Sequence, residues 1–308
     1  MSGCHDSTVI APVVTADSLP DNAVLADVRW YLDGSDGRAA YEAGHLPGAI
    51  WIDLENDLSR HDLPASEGRH PLPTPAAFAA AMSALGISDD SVVIAYDDTG
   101  GVTAGRLVVM LRMLGRSAAL LDGGFGAWVA DGRPVEIGPG QLPRVARPPT
   151  EFTVTEWPRQ RLASADEAAA YAARGGVVLD SRAYERFIGE QMLIDPRPGH
   201  MPGARSAPWA ALHDADGRLL ARADLRDHFR RLGIATAAGS GHGDAVVAYC
   251  GSGVSACLNV IAMEHAGFPL ARVYVGSWSG WAADPSRPVE LGDLQPVSCE
   301  RRAMPGDL

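Results

Sequence analysis

The chain has 308 residues, nearly half of them apolar and about a fifth charged, with a formal net charge of −12 and no Lys/Arg-rich run. This is ordinary globular composition, long enough for about two domains. The acidic balance argues against a nucleic acid or an anionic membrane as partner, because either needs a basic footprint.

No apolar run approaches the ~18 residues that span a bilayer. The start, "MSGCHDSTVIAPVV", has no basic segment ahead of an apolar core, so a soluble cytoplasmic protein is expected. From Leu25, "LADVRWYLDGSDGRAAYEAGHLPGAIWIDL" reads as a strand ending Asp-x-Arg, a helical stretch, a Gly-His-x-Pro-Gly-Ala turn and a second strand. "HPLPTPAAFAAAMSALGI" follows as a helix, with Thr74 as N-cap, Pro75 in the first turn and Gly86 as C-cap. "SVVIAYDDTGGVTAGRLVVMLRMLG" is a strand, a glycine-containing turn and a helix, and "LDGGFGAWVADGRPVE" closes the set. "EIGPGQLPRVARPPTEF" is rich in Pro and Gly and reads as a linker, about residues 137–150.

Beyond it the same blocks return in the same order, displaced by about 153 residues: Asp27 at Asp180, His45 at His200, Gly101 at Gly253 and Trp128 at Trp281. A period this long makes each copy a whole domain, the signature of tandem duplication. Short β-branched runs alternating with helix-period stretches predict α/β copies built on mainly parallel sheets. The expected domains are 1–136 and 151–292, with a peripheral tail over 293–308.

The four cysteines are Cys4, Cys250, Cys257 and Cys299; their spacing fits neither a zinc site nor a disulfide framework, so free thiols and no metal are expected. Cys250 stands where the strand "DAVVAY" meets the turn "GSGVSA" and the next helix. In open α/β sheets this carboxyl end of a strand is where sites form. Gly251 and Gly253 free the backbone so that N–H groups, including those of Val254 and Ser255, can converge on an anion at a helix N-terminus. That field increases the thiolate fraction and would hold a persulfide. A buried inert cysteine is the bland alternative. Cysteine phosphatases use a comparable cradle, but no Arg follows Cys250 before residue 261, so a phosphate clamp is missing. Aligning the Gly-Val pairs puts Asp98 at the place of Cys250 in the first copy, whose loop is expected to be inert. Cys257 reads as core.

In "GHLPGA" and "GHMPGA", the Asp-x-Arg strand ends, "YVGSWSGW" and a cysteine loop confined to the second copy, the chain resembles two-domain rhodanese-type sulfurtransferases over about residues 8–292. The resemblance implies two rhodanese-like domains, each a five-stranded, mainly parallel sheet with helices on both faces. It also implies transfer of a sulfane sulfur through a persulfide on Cys250, with no cofactor. The neutral "CGSGVSA" loop is similar to the mercaptopyruvate branch, whereas thiosulfate-preferring relatives carry cations there. That branch implies Ser252, His70 and an acid as a proton-transfer set, the acid falling on Glu55 where Asp is usual. It implies Arg186 and Arg197 as the clamp on the donor's carboxylate and keto group. The helix motif usually reads "DGSWSEW", so Val275 and Gly280 depart from it. The expected partners are a small sulfur donor and a thiol or cyanide acceptor, with thioredoxin among the candidates. Thiosulfate:cyanide transfer is the alternative chemistry, and a non-catalytic binding module the alternative class.

Overall fold

The structure, a computed structural model, describes residues 10–140, 150–235 and 246–292. Most of the expected linker, the tail over 293–308, Cys4 and Cys299 lie outside the described residues.

The first half runs β1 (Val13–Val14), β2 (Val24–Asp27), α1 (Gly37–Ala43), β3 (Ile50–Trp51), α2 (Pro75–Ala84), β4 (Val93–Tyr96), α3 (Ala104–Met113), β5 (Ala118–Leu121) and α4 (Gly124–Ala130). Its strands form one parallel sheet in the order β1-β5-β4-β2-β3. The second half runs α5 (Ala165–Ala173), β6 (Val178–Asp180), α6 (Tyr184–Ile188), β7 (Arg205–Ser206), α7 (Arg222–Arg231), β8 (Val247–Tyr249), α8 (Ala256–Ala266), β9 (Arg272–Val273) and α9 (Ser277–Ala283). Its sheet is β7-β6-β8-β9, again parallel, with four strands among the described residues where five were expected. The fifth strand is reduced to a single parallel bridge between Leu162 and Val273. Ser164, two residues later, and Glu167 form a reciprocal capping box that starts α5 at Ala165, so no length is left for a ladder.

The repeated motifs are structural. Arg29 and Arg182 each pair with the aspartate two residues before them inside the protein. Each also donates to the carbonyl of the glycine preceding the motif histidine, Gly44 or Gly199. His45 and His200 stack on Tyr41 and Phe187 and bond their carbonyls, which confirms them as turn residues. Helix α2 starts as expected, Thr74 accepting from the Ala77 N–H at 3.1 Å.

One apolar core crosses both halves, joining Leu107 and Met110 of α3 to Leu258 and Ile261 of α8. The two helices meet closely at Gly105, where a Cβ would lie 3.4 Å from Ile261 Cδ1. An Arg112–Glu264 ion pair borders the contact. Thus the halves share a core, and side chains of one are held in register with the other. Among the described residues, no helix is long and apolar enough to cross a membrane.

Candidate active site

Cys250 follows β8 directly and is 1% exposed. Its Sγ accepts from the Gly253 N–H at 3.1 Å. Gly253 sits at φ +80°, and a Cβ there would lie 2.5 Å from the Val275 carbonyl oxygen, so the turn is closed to side chains. At Val275, then, it is the backbone that faces the loop. The first turn of α9 grips the loop from the other side. Ser277 Oγ accepts from the Cys250 N–H at 3.1 Å, and the Trp278 and Ser279 N–H groups donate to the Cys250 and Gly251 carbonyls at 2.9 Å. Helix α8 follows the loop directly, its N-cap Ser255 making no side-chain cap hydrogen bond.

The first half shows what this cradle holds. Tyr96 pairs with Asp27 and Tyr249 with Asp180 in the same register, so the residue matching Cys250 is Asp97. This corrects the expected Asp98: the first loop is one residue longer, and aligning its Gly-Val pair shifts the match. Asp98 instead accepts from the Tyr31 hydroxyl at 2.7 Å. The Asp97 carboxylate takes five hydrogen bonds, from the N–H groups of Thr99, Gly101, Thr103 and Ala104 and from the Thr103 hydroxyl. A loop of this shape is therefore an anion seat. The first copy fills it with a fixed carboxylate; the second leaves it to the sulfur.

Ser252, His70 and Glu55 come together across the two halves. Ser252 Oγ lies 2.8 Å from His70 Nδ1, and Glu55 Oε1 lies 3.0 Å from His70 Nε2. With Glu55 ionised, Nε2–H donates to it, which leaves Nδ1 to accept from the Ser252 hydroxyl. The hydrogen bond from His70 holds the Glu55 carboxyl below its usual range. Asp53 does not enter the set. It caps the turn, accepting from the Glu55 N–H at 2.9 Å. The extra methylene of Glu55 thus reaches the histidine.

Arg186 lies beside the loop, and Arg197 does not. The Arg197 guanidinium donates to the carbonyls of Trp281, Ala282, Asp284 and Arg287, closing the C-terminal end of α9. Its donors are spent on backbone, so its assignment to the donor's carboxylate is corrected to a helix-end cap. Arg69, which the sequence did not single out, lies beside Arg186 at the loop. Arg69 Nη2 and Arg186 Nη2 both lie 3.0 Å from where a Cβ on Gly251 would sit. Its adjacency to His70 in "GRHPLP" was the available signal.

Arg106 was also missed. Wholly buried, it donates to the carbonyls of Gly253 at 3.0 Å and His70 at 2.9 Å, tying the cysteine loop to the histidine segment. Desolvation pulls its pKa down, and among the charged groups acting on it the thiols of Cys257 and Cys250 pull the other way. Cys257 itself is pushed up to about 12 by burial and belongs to the core.

Glycines place the Arg69–His70 segment. A Cβ on Gly280 would lie 2.5 Å from the Ser66 carbonyl oxygen, and one on Gly68 would collide with Gly276. Arg69 N–H then donates to Ser279 Oγ at 3.1 Å. The loss of the usual acid at position 280 is explained: the backbone of the first half occupies its space. Gly280→Ala is expected to push the segment off α9 while leaving far-UV circular dichroism unchanged. A displacement on the order of 1 Å costs on the order of a hundredfold in kcat/KM. Wild-type kinetics in Gly280→Ala would show that the close approach does not position the site.

The rhodanese-like domain model matches residues 15–131 and 164–284. A Pseudomonas aeruginosa protein named "Probable 3-mercaptopyruvate sulfurtransferase" is 41% identical over 292 residues, covering 92% of this chain and 99% of that one. A Mycobacterium tuberculosis protein with thiosulfate sulfurtransferase in its name is 39% identical, covering 88% of this chain and 92% of that one. Among solved structures, the 3-mercaptopyruvate sulfurtransferase of Leishmania major superposes with a TM-score of 0.75 at 29% identity, covering 92% of this chain and 76% of that one.

Proposed function

The chain belongs to the rhodanese-like family and is a sulfurtransferase, and we propose that it takes its sulfur from 3-mercaptopyruvate through a persulfide on Cys250. The observation that carries this reading is the Ser252–His70–Glu55 chain of hydrogen bonds beside a cysteine loop whose neighbours, Gly251 and Ser252, are neutral.

The Cys250 thiolate attacks the donor's sulfur. A sulfur–sulfur bond forms, the carbon–sulfur bond breaks, and its electron pair leaves on C3 as the enolate of pyruvate. The donor's thiol proton is the proton C3 needs. Ser252 and His70 carry it, with Glu55 stabilising His70 while it bears the charge. The persulfide remains as an anion in the seat that Asp97 fills in the other half. An acceptor thiolate, or cyanide, then attacks the outer sulfur and regenerates the Cys250 thiolate. A cytoplasmic dithiol of the thioredoxin class suits this second step, since its second thiol can release the sulfur as sulfide.

Thiosulfate is the competing donor, favoured by the name of the mycobacterial relative. Steady-state kinetics with both donors test the reading. The expected result is a higher kcat/KM for 3-mercaptopyruvate, giving pyruvate in equal amount to sulfur transferred. Ser252→Lys is expected to lower that rate and tilt the ratio toward thiosulfate, because it removes a proton carrier and adds a cation beside a dianion. A higher kcat/KM for thiosulfate in the unmodified protein would overturn the proposed donor.

A further inference from the structure

We propose that Arg106, on α3 of the first half, is the buried counter-charge of the Cys250 sulfur, so that the thiolate and then the persulfide complete an ion pair across the two halves. The inference holds for either donor and rests only on the reading of Cys250 as the sulfur carrier.

Arg106 is 1% exposed, and the charged groups that act on it among the described residues are two thiols, Cys257 and Cys250, with no carboxylate. Its Nη atoms donate to the carbonyls of Leu58, His70 and Gly253, and its Nε–H has no acceptor among the described residues. Carbonyl dipoles solvate a guanidinium in part and leave its charge unbalanced. A cation buried without an anion is strongly unfavourable. The group able to supply that anion lies one residue away in the bonding scheme. Arg106 Nη1 donates to the Gly253 carbonyl at 3.0 Å, and the N–H of the same glycine donates to Cys250 Sγ at 3.1 Å. Cys257 does not serve, because burial pushes its thiol up to about 12 and it donates its own proton to the Gly253 carbonyl.

The duplication supplies the comparison. In the first half the seat holds Asp97 with five hydrogen bonds. Arg106 is the third residue of α3; the third residue of α8 is Leu258, apolar and wholly buried. A carboxylate ionises far below neutrality unaided, whereas an unassisted thiol is only a few per cent ionised at pH 7. The copy that must ionise a thiol is therefore the one served by a buried cation, and the cation comes from the copy that has no thiol in its seat. Arg106 touches no reacting atom. It acts on the sulfur through the loop, as a positioning residue.

Other charges also surround the loop. Arg69, Arg186 and Asp195 stand beside Gly251, with Arg182 behind them paired to Asp180. His70 and Glu55 reach it through Ser252, and Cys257 lies on α8. The first turn of α9, Ser277 to Ser279, brings no ionisable side chain. These groups are unchanged in variants of Arg106, so a difference between such variants reports on Arg106.

The test is the pH dependence of Cys250 alkylation by iodoacetamide, followed on the Cys250 peptide by mass spectrometry. The unmodified protein is compared with Arg106→Gln and Arg106→Lys. Arg106→Gln keeps a donor and removes the charge. Its profile is expected to move to higher pH by about one unit or more, which lowers the rate near neutrality about tenfold. Arg106→Lys keeps the charge and should hold the profile close to that of the unmodified protein. Arg106→Met, also neutral, carries the same expectation as Arg106→Gln and replaces it if that variant does not fold. A further pair leaves Arg106 in place: Cys250→Asp should melt at a higher temperature than Cys250→Asn near neutral pH, since it keeps an anion beside the cation. A profile that stays in place in the neutral variant, whatever happens to turnover, overturns the proposal and leaves Arg106 a structural tie. Arg106→Lys shifted as far as Arg106→Gln also overturns it, as does Cys250→Asn melting at or above Cys250→Asp. If the unmodified protein takes up no sulfur from either donor, the carrier reading has failed; alkylation uses no donor and still decides the role of Arg106.

Discussion

Cys250→Ser is expected to abolish sulfur transfer from either donor, while Cys257→Ala keeps it. The sulfur of Cys250 is aimed by four backbone contacts: the Gly253 N–H on Sγ, Ser277 on its own N–H, and the Trp278 and Ser279 N–H groups on the carbonyls of Cys250 and Gly251. A serine would keep that geometry and lose the chemistry, because a hydroxyl is neither ionised nor able to hold a sulfane sulfur near neutral pH. Cys257 is a poor substitute. Burial keeps it protonated, and its Sγ donates to the Gly253 carbonyl at 3.4 Å, on the core side of the loop. Intact mass spectrometry after donor treatment should show one added sulfur in the unmodified protein, mapping to the Cys250 peptide, and none in Cys250→Ser. The same measurement separates an enzyme from a binding module, which would acquire no sulfur at all. Turnover surviving in Cys250→Ser would end the persulfide mechanism.

Much of this arrangement was legible in the letters. The duplication showed in four blocks, and the cysteine loop stood out because only one copy has a thiol. Ser252, His70 and Glu55 could be named through the resemblance, since each falls in a short stretch that matches the mercaptopyruvate branch. What failed did so where position depends on packing between distant segments. Asp97 was misplaced by one because the first loop carries an extra residue, and only strand pairing, Asp27 with Tyr96 and Asp180 with Tyr249, fixes the true register. Arg197 was given to the substrate by the resemblance to the mercaptopyruvate branch. Its side chain turns away because the end of α9 offers it four carbonyls. Arg69 was passed over because nothing local shows that residues 66–70 lie on α9, 210 positions away from Arg69 at Ser279. The information was in Gly68 and Gly280, whose missing side chains permit the contact, but a glycine does not name its neighbour. The reduction of the second sheet's fifth strand to the Leu162–Val273 bridge was likewise hidden, because a capping box determines where a helix starts without saying what strand it shortens.

His70→Ala should lower kcat for 3-mercaptopyruvate by about 10²–10⁴, the range for losing a positioned proton carrier. His70 links Ser252 at 2.8 Å to Glu55 at 3.0 Å, so its removal leaves Ser252 without an acceptor and Glu55 without a partner. KM should change little, since the role proposed for His70 is proton transfer and not binding of the donor. Persulfide formed from a pre-oxidised sulfur donor such as a polysulfide needs no proton delivered to carbon, so it should survive in this variant. Glu55→Gln tests the next link. It keeps a hydrogen-bonding side chain but allows the histidine to turn or change tautomer, and should show a smaller loss than His70→Ala. Glu55→Asp should also lose rate, because here the backbone is set for the longer side chain while Asp53 occupies the turn. The pH dependence follows from the depressed Glu55. Its bond to His70 stabilises the charged carboxylate, so the contribution is complete above the ordinary value of 4.5 and is lost as pH falls through the lower folded value. Protonation of Glu55 therefore produces no acid limb in kcat near neutrality; that limb should lie below the ordinary carboxylate range. Equal kcat in His70→Ala and the unmodified protein, with pyruvate still released, would show that the proton reaches C3 by another route and that the three residues are a structural bridge between the halves.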